Sequence, residues 1–216
     1  MSTSILYNPE NAALLVIDMQ EFFHKDLANK IIPNVKSIVT TCYKKDIPIL
    51  WTQHGHMNVE FDRGALARWW KGKDKMIMQG SENWKFLKEL DSIVMATSLG
   101  TLDFIIQSKT RYDAFYKTEL NSFLTSLRIK TLIISGIKTN LCCETTARRA
   151  FDENYDIVFL EDATATNTKE MHELPRLQIL LNGFQLAKDN KIGGLSLFNK
   201  TTFRYEQRQY LIPNIT

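Results

Sequence analysis

One feature constrains this chain most: apolar runs of strand length alternate with segments whose apolar residues recur at helical spacing. The first run, Ala12–Ile17 (AALLVI), has no polar residue until Asp18 ends it. A strand with one face in water would alternate apolar and polar residues. A continuous run fits a strand covered on both faces. Further runs stand at 47–52 (IPILWT), 103–107 (DFIIQ), 131–135 (TLIIS) and 157–160 (IVFL), with a shorter one near 195–198. Between them, Ile32, Val35, Ile38, Val39 and Cys42 mark a helix behind Pro33. Trp84, Leu87 and Leu90 predict a short helix, and Leu120, Phe123, Leu124 and Leu127 another, capped by Thr118. A helix over 144–153 is expected to bury Ala147, Ala150 and Phe151. It should end at Asn154, a residue that tolerates the left-handed position after a helix. Leu174, Leu177, Leu181 and Phe184 mark the last helix.

This alternation predicts an α/β protein. The expected architecture is a three-layer αβα, Rossmann-like, mostly parallel sheet of five to six strands with helices on both faces. With 216 residues, one domain is expected over 1–194. Residues 195–216 then form a C-terminal strand and arm, expected at a subunit interface of a homo-oligomer. Apolar residues at 44% and charged residues at 24% exclude a disordered or fibrous chain. The nine glycines allow neither G-x-G-x-x-G nor G-x-x-x-x-G-K, so the common phosphate loops are absent. A net charge of +3, with its densest basic run only Lys71-Gly72-Lys73-Asp74-Lys75, gives no nucleic-acid footprint. No apolar run reaches the ~18 residues of a membrane helix. Three cysteines, two of them adjacent, do not build a disulfide framework. With no signal peptide evident, reduced thiols and a cytoplasmic location are expected.

Parallel sheets bind ligands beyond the carboxyl ends of their strands. Asp18 ends the first strand, Lys109 follows the third and Cys142 follows the fourth, so all three side chains can reach one edge. The chemistry is coherent: an ammonium and a helix N-terminus favour a thiolate nucleophile, and a carboxylate can take and return a proton. By spacing alone, the trio is equally a capping aspartate, a solvent lysine and a small buried cysteine.

The local wording decides between these. Val16-Ile17-Asp18-Met19-Gln20 with Phe22 and Phe23 resembles the opening signature of the isochorismatase-like hydrolases, which include nicotinamidases and N-carbamoylsarcosine amidases. Lys109, then Ala114-Phe115, Thr118 and Leu120, resembles their lysine motif. Gly136-Ile137-Lys138-Thr139-Asn140-Leu141-Cys142 with Thr145-Thr146-Ala147 resembles their nucleophile motif, and Asp162-Ala163 is a fourth match. The resemblance implies a triad: Cys142 as nucleophile, Asp18 as general base and acid, Lys109 as the cation holding both. It also implies a cis peptide at Ile137–Lys138 and an oxyanion hole made by the amides of Lys138 and Cys142. The implied function is hydrolysis of a small carboxamide, ureide or carbamoyl substrate through a thioester. Relatives that cleave a vinyl ether usually carry glycine at the nucleophile position, and here that residue is Cys142. The alternatives are such C–O hydrolysis without the thiol, which alkylation of Cys142 would leave intact, and a non-catalytic binding module, for which an ordinary thiol pKa would speak.

Other residues divide by position. Cys42 and Cys143 read as packing. Phe23, Trp69, Trp70, His54 and His56 are candidate substrate-binding residues. Nicotinamidases place an Asp-x-His metal pair where His54-Gly55-His56 stands. No histidine occurs from 57 to 171, and His24 and His172 are badly placed to complete a zinc site. No cofactor is therefore expected, a metal on His54 and His56 being the alternative. His172 reads as helix surface. Lys138 stands where the family usually has a small or apolar residue, and it either pairs with Glu144 or faces an anionic substrate.

Overall fold

A computed structural model describes residues 9–23, 29–68, 76–98, 103–173 and 185–187. Six strands form one sheet: β1 (Ala12–Ile17), β2 (Ile49–Thr52), β3 (Phe104–Ile106), β4 (Thr131–Ile137), β5 (Asp156–Ala165) and β6 (Gln185–Ala187). Their order is β3-β2-β1-β4-β5-β6, and every neighbouring pair runs parallel. The chain builds outward from β1 in one direction, then returns and builds from β4 in the other. The switch point falls between β1 and β4, where an open parallel sheet leaves a crevice for a ligand.

The continuous apolar run of β1 has the expected cause. Ala12, Leu14 and Val16 enter a core with Ile32, Val35, Ile38, Val39 and Cys42 of α1 (Ile32–Tyr43). Past the one-turn α2 (Val59–Asp62), α3 (Asp91–Ser98) adds Val94 to that face. Ala13, Leu15 and Ile17 enter the opposite core with Leu120 and Leu124 of α4 (Leu120–Ser126) and Ala147 and Ala150 of α5 (Glu144–Asp152). Each large side chain fully removed from water contributes roughly 1.5–3 kcal/mol. Both faces of β1 therefore favour aliphatic residues at every position.

Gly136 makes the junction possible. It sits beside Ile17 in the β1–β4 ladder with φ +115°, and a Cβ there would lie 2.1 Å from the Ile17 carbonyl oxygen. No other residue type fits both the angle and the approach.

The predicted elements differ from the observed ones mainly at their ends. β4 runs through Gly136 to Ile137, and β5 continues past Leu160 to Ala165. Around Trp84, Leu87 and Leu90 the chain forms two 3₁₀ turns, Glu82–Trp84 and Lys88–Leu90, before α3 begins. Thr118 does not occupy the cap position of α4, which is Glu119. Its hydroxyl accepts from the Leu120 N–H at 3.3 Å and donates to the Ala114 carbonyl at 2.5 Å. Phe151 is half exposed, at the edge of the face of α5 on which Ala147 and Ala150 are buried. Asn154 takes the left-handed conformation, φ 67°. No helix among the described residues is long and apolar enough to cross a membrane. The strand expected at 195–198, the arm 195–216 and the helix over Leu174–Phe184 lie outside the described residues.

Candidate active site

The residue after β1 is built for exposure of its side chain to the crevice. Asp18 adopts φ +51°, a left-handed conformation that costs a non-glycine residue energy and persists only where neighbours hold it. Thr52, at the end of β2, supplies that hold. The Asp18 N–H reaches both the Thr52 carbonyl and its Oγ1 at 3.2 Å, and Thr52 Oγ1 donates to Asp18 Oδ1 at 2.6 Å. The second carboxylate oxygen, Oδ2, accepts from Lys109 Nζ at 2.5 Å, and both side chains have no solvent exposure.

Lys109 lies three residues past β3, two strands away from β1, and spans the gap by side-chain length. Its carbonyl accepts the Gly55 N–H at 3.0 Å, which ties the loop after β3 to the loop after β2. Thr146 of α5 ties the same loop to the nucleophile helix. Its Oγ1 accepts from the Ala114 N–H at 3.0 Å and donates to the Tyr112 carbonyl at 3.3 Å. Burial pushes the Lys109 ammonium down, but Asp18 and Cys142 outweigh it and hold the pKa above the ordinary lysine value.

Cys142 lies in a π-helical turn, Thr139–Cys143, between β4 and α5. The turn closes through the Cys143 N–H to the Lys138 carbonyl at 3.1 Å. The Ile137–Lys138 peptide is cis, and the Lys138 N–H faces the Cys142 sulfur. The thiol hydrogen-bonds Asp18 and sits beside Lys109. Its pKa is pushed up to about 12, first by burial and then by Asp18, against the opposing pull of Lys109 and the Lys138 amide. Burial and Asp18 thus oppose the thiolate that Lys109 favours, and the carboxylate beside the sulfur is placed to take its proton during attack. Cys143 is also buried, with its pKa raised, and Cys42 is buried on α1.

The other candidates are placed unequally. Phe23 is buried in the turn Glu21–Phe23 just past Asp18. His54 and His56 follow β2 and meet edge to face, their ring centroids 5.1 Å apart. Trp69 and Trp70 lie outside the described residues. His56 Nδ1 is 2.8 Å from Asp62 Oδ1, and the same carboxylate accepts the N–H groups of Met57 and Asn58. His54 has a backbone clamp: Gln20 Oε1 accepts its N–H at 2.8 Å while Gln20 Nε2 donates to its carbonyl at 3.0 Å. Between the two histidines only glycine fits, since a Cβ on Gly55 would meet the Trp84 ring at 2.6 Å. A resident metal finds no assembled set of donors among the described residues. Asp62 occupies His56 Nδ1, and among the described residues no group of three His, Cys, Asp or Glu side chains could hold an ion. No step below runs through one.

Burial, reinforced by the Lys109 charge, pushes His54 down to about 3, so its ring is neutral at physiological pH. Its Nδ1 is buried without a hydrogen-bond partner among the described residues. The unfolded chain binds a proton at this residue below about 6.5, and the folded chain does not until about 3. Stability is thus fully present above pH 6.5 and falls as pH drops through that window, by up to about 1.4 kcal/mol per unit. Urea unfolding at pH 7, 5.5 and 4 is expected to show this slope, and His54→Asn to flatten it.

Sequence reasoning missed Thr52 and named Gln20 and Thr146 only as motif residues. Their hydrogen bonds show that they hold this site together. His172 was expected on a helix surface. It is partly buried, and its Nδ1 lies 2.9 Å from Thr139 Oγ1 in the nucleophile turn. Lys138 does not pair with Glu144, which bonds Arg148 instead.

A doubly wound parallel sheet carrying a carboxylate, an ammonium and a thiol at its switch point defines an α/β protein with its chemistry at the strand ends. Residues 12–179 match the family model for the isochorismatase domain. The chain belongs to the isochorismatase family of hydrolases. It is 35% identical to nicotinamidase 3 of Arabidopsis thaliana over 185 residues, 86% of this chain and 88% of that protein. Among solved structures, a cysteine hydrolase from Pseudomonas syringae pv. phaseolicola superposes with TM-score 0.79 at 18% identity, covering 93% of this chain and 99% of that one. The N-carbamoylsarcosine amidase from Thermoplasma acidophilum superposes with TM-score 0.68 at 20% identity, covering 83% and 97%.

Proposed function

We propose that this hydrolase cleaves the C–N bond of a small carboxamide, ureide or carbamoyl compound through a thioester on Cys142. The carrying observation is the Asp18 carboxylate, fully buried, bonded to Lys109 on one oxygen and Thr52 on the other, with the Cys142 thiol against it. The relation to nicotinamidase 3 supports the same class of bond.

Each role follows from position. Cys142 Sγ attacks the carbonyl carbon while its proton passes to Asp18. The carbonyl oxygen gains charge and is received by the backbone amides of Lys138 and Cys142. The C–N bond then breaks, and Asp18 returns the proton to the leaving nitrogen, releasing ammonia from a primary amide. Water attacks the thioester, giving its proton to Asp18. The C–S bond breaks, and the sulfur takes that proton back. Lys109 keeps Asp18 oriented and offsets the negative charge that the sulfur and oxygen acquire. Phe23, His54 and His56 wall the substrate pocket.

A panel of carboxamides, ureides and carbamoyl compounds scored by ammonia release tests this reading. Release from none of them, by protein shown to be folded, would sink it. Turnover is expected to survive exhaustive dialysis against a chelator within about twofold, a margin set by assay scatter rather than by any lost catalytic group. A loss restored by added zinc would contradict the metal-free scheme.

A further inference from the structure

The scheme above uses the backbone of Lys138 and leaves its ammonium without a task. The residue is half-buried, and its Nζ lies 5.8 Å from the centre of the Phe23 ring. Its amide faces the Cys142 sulfur. Side chain and backbone therefore both border the space around the nucleophile. Among the described residues nothing neutralises its charge. Glu144, the acid closest in sequence, is occupied by Arg148, and Asp18 by Lys109 and Thr52. Among the described residues no carboxylate pairs with Lys138, and the ionisable group that bears on it is Cys142.

Holding an ammonium out of water without a counter-ion is unfavourable, and a ring face recovers only part of the loss. A methionine or leucine would cover Phe23 equally well without that cost. The arrangement makes sense when an anion arrives with the ligand. We propose that Lys138 is the anion subsite of this pocket, selecting amides or ureides that carry a carboxylate over neutral carboxamides. This rests on the hydrolase reading given above and narrows its substrate class. The carboxylate would lie against Phe23 with the scissile carbonyl over Cys142, so acyl chains short enough to span those two residues fit best.

The test uses two matched pairs: succinamate against 4-oxopentanamide, and glutaramate against 5-oxohexanamide. In each pair a methyl ketone replaces the carboxylate. Wild type is expected to favour the anionic member by at least about tenfold in kcat/KM, the usual scale for one charged contact. In Lys138→Met that ratio should fall to about one, through KM of the anionic probe, while Lys138→Arg restores most of it. Wild type showing no preference in either pair, or an unchanged ratio in Lys138→Met, overturns the proposal. Calorimetric binding of the same probes to Cys142→Ala separates it from the hydrolase reading. Anion-selective binding without ammonia release from any probe would keep the subsite and sink the hydrolase. Ammonia release without selectivity would do the reverse.

Discussion

Replacing Cys142 by alanine is expected to lower ammonia release by at least about 10⁴-fold while the protein stays folded. Removal of a nucleophile from a catalytic trio costs on this order, because the remaining groups have nothing to activate. The sulfur is buried, with a side chain only 6% exposed, so its loss leaves a void of one atom's size. A small cavity of that kind costs about 1 kcal/mol or slightly more, a few degrees in thermal midpoint. Ammonia release and a thermal melt, measured on the same preparation, read both quantities. Cys143→Ala is the matched control. Its thiol is buried one residue further along, and it plays no part in the scheme. Full activity in Cys142→Ala, or equal losses in both variants, would show that the thiol is not the nucleophile.

Lys109→Met is expected to be costly twice over. The side chain is fully buried against an equally buried Asp18, with Nζ and Oδ2 2.5 Å apart. Methionine fills much of the volume but strands the carboxylate. Leaving one partner of a buried pair uncompensated costs roughly 3–5 kcal/mol, which a denaturant midpoint would register clearly. Turnover should fall by at least about 10³-fold, since the general base loses its orientation and the developing charge its counter-ion. The thiol supplies an independent readout. Lys109 lowers the Cys142 pKa, so its removal moves the thiol further up and slows alkylation by iodoacetamide at pH 9. The double variant Asp18→Asn with Lys109→Met removes both charges. It should regain part of the lost stability and none of the activity. A single variant as stable as wild type would mean that the ion pair does not bear on the fold.

The trio was legible in the sequence because each member follows an apolar run and stands in a motif that resembles the family's, the motif deciding what position alone left open. Asp18 is flush with β1 and Cys142 stands six residues beyond Gly136, so their approach follows once parallel order is assumed. Lys109 was harder to place by spacing, since β3 lies at the sheet edge and only the length of a lysine closes the distance. Phe151 was misplaced because helical spacing gives a face but not how much of that face a neighbour covers, and Thr118 because spacing fixes a helix end only to within a residue or two. His172 was read as surface because nothing in a sequence signals a hydroxyl 33 positions away.

The sequence by itself determined the alternation of strands and helices, the doubly covered sheet and, through its motifs, the candidates Asp18, Lys109 and Cys142. Those features are local, written in period, run length and residue type. Tertiary structure decided the surroundings of the thiol, the partner of Asp18's second oxygen and the fate of Lys138. Burial of Cys142 opposes the nearby ammonium and pushes the thiol pKa up. Thr52 fixes the carboxylate from a neighbouring strand. Arg148 takes Glu144 and leaves the Lys138 ammonium over Phe23. Each of these outcomes depends on desolvation and on which charges meet across the fold, quantities that exist only after distant segments pack.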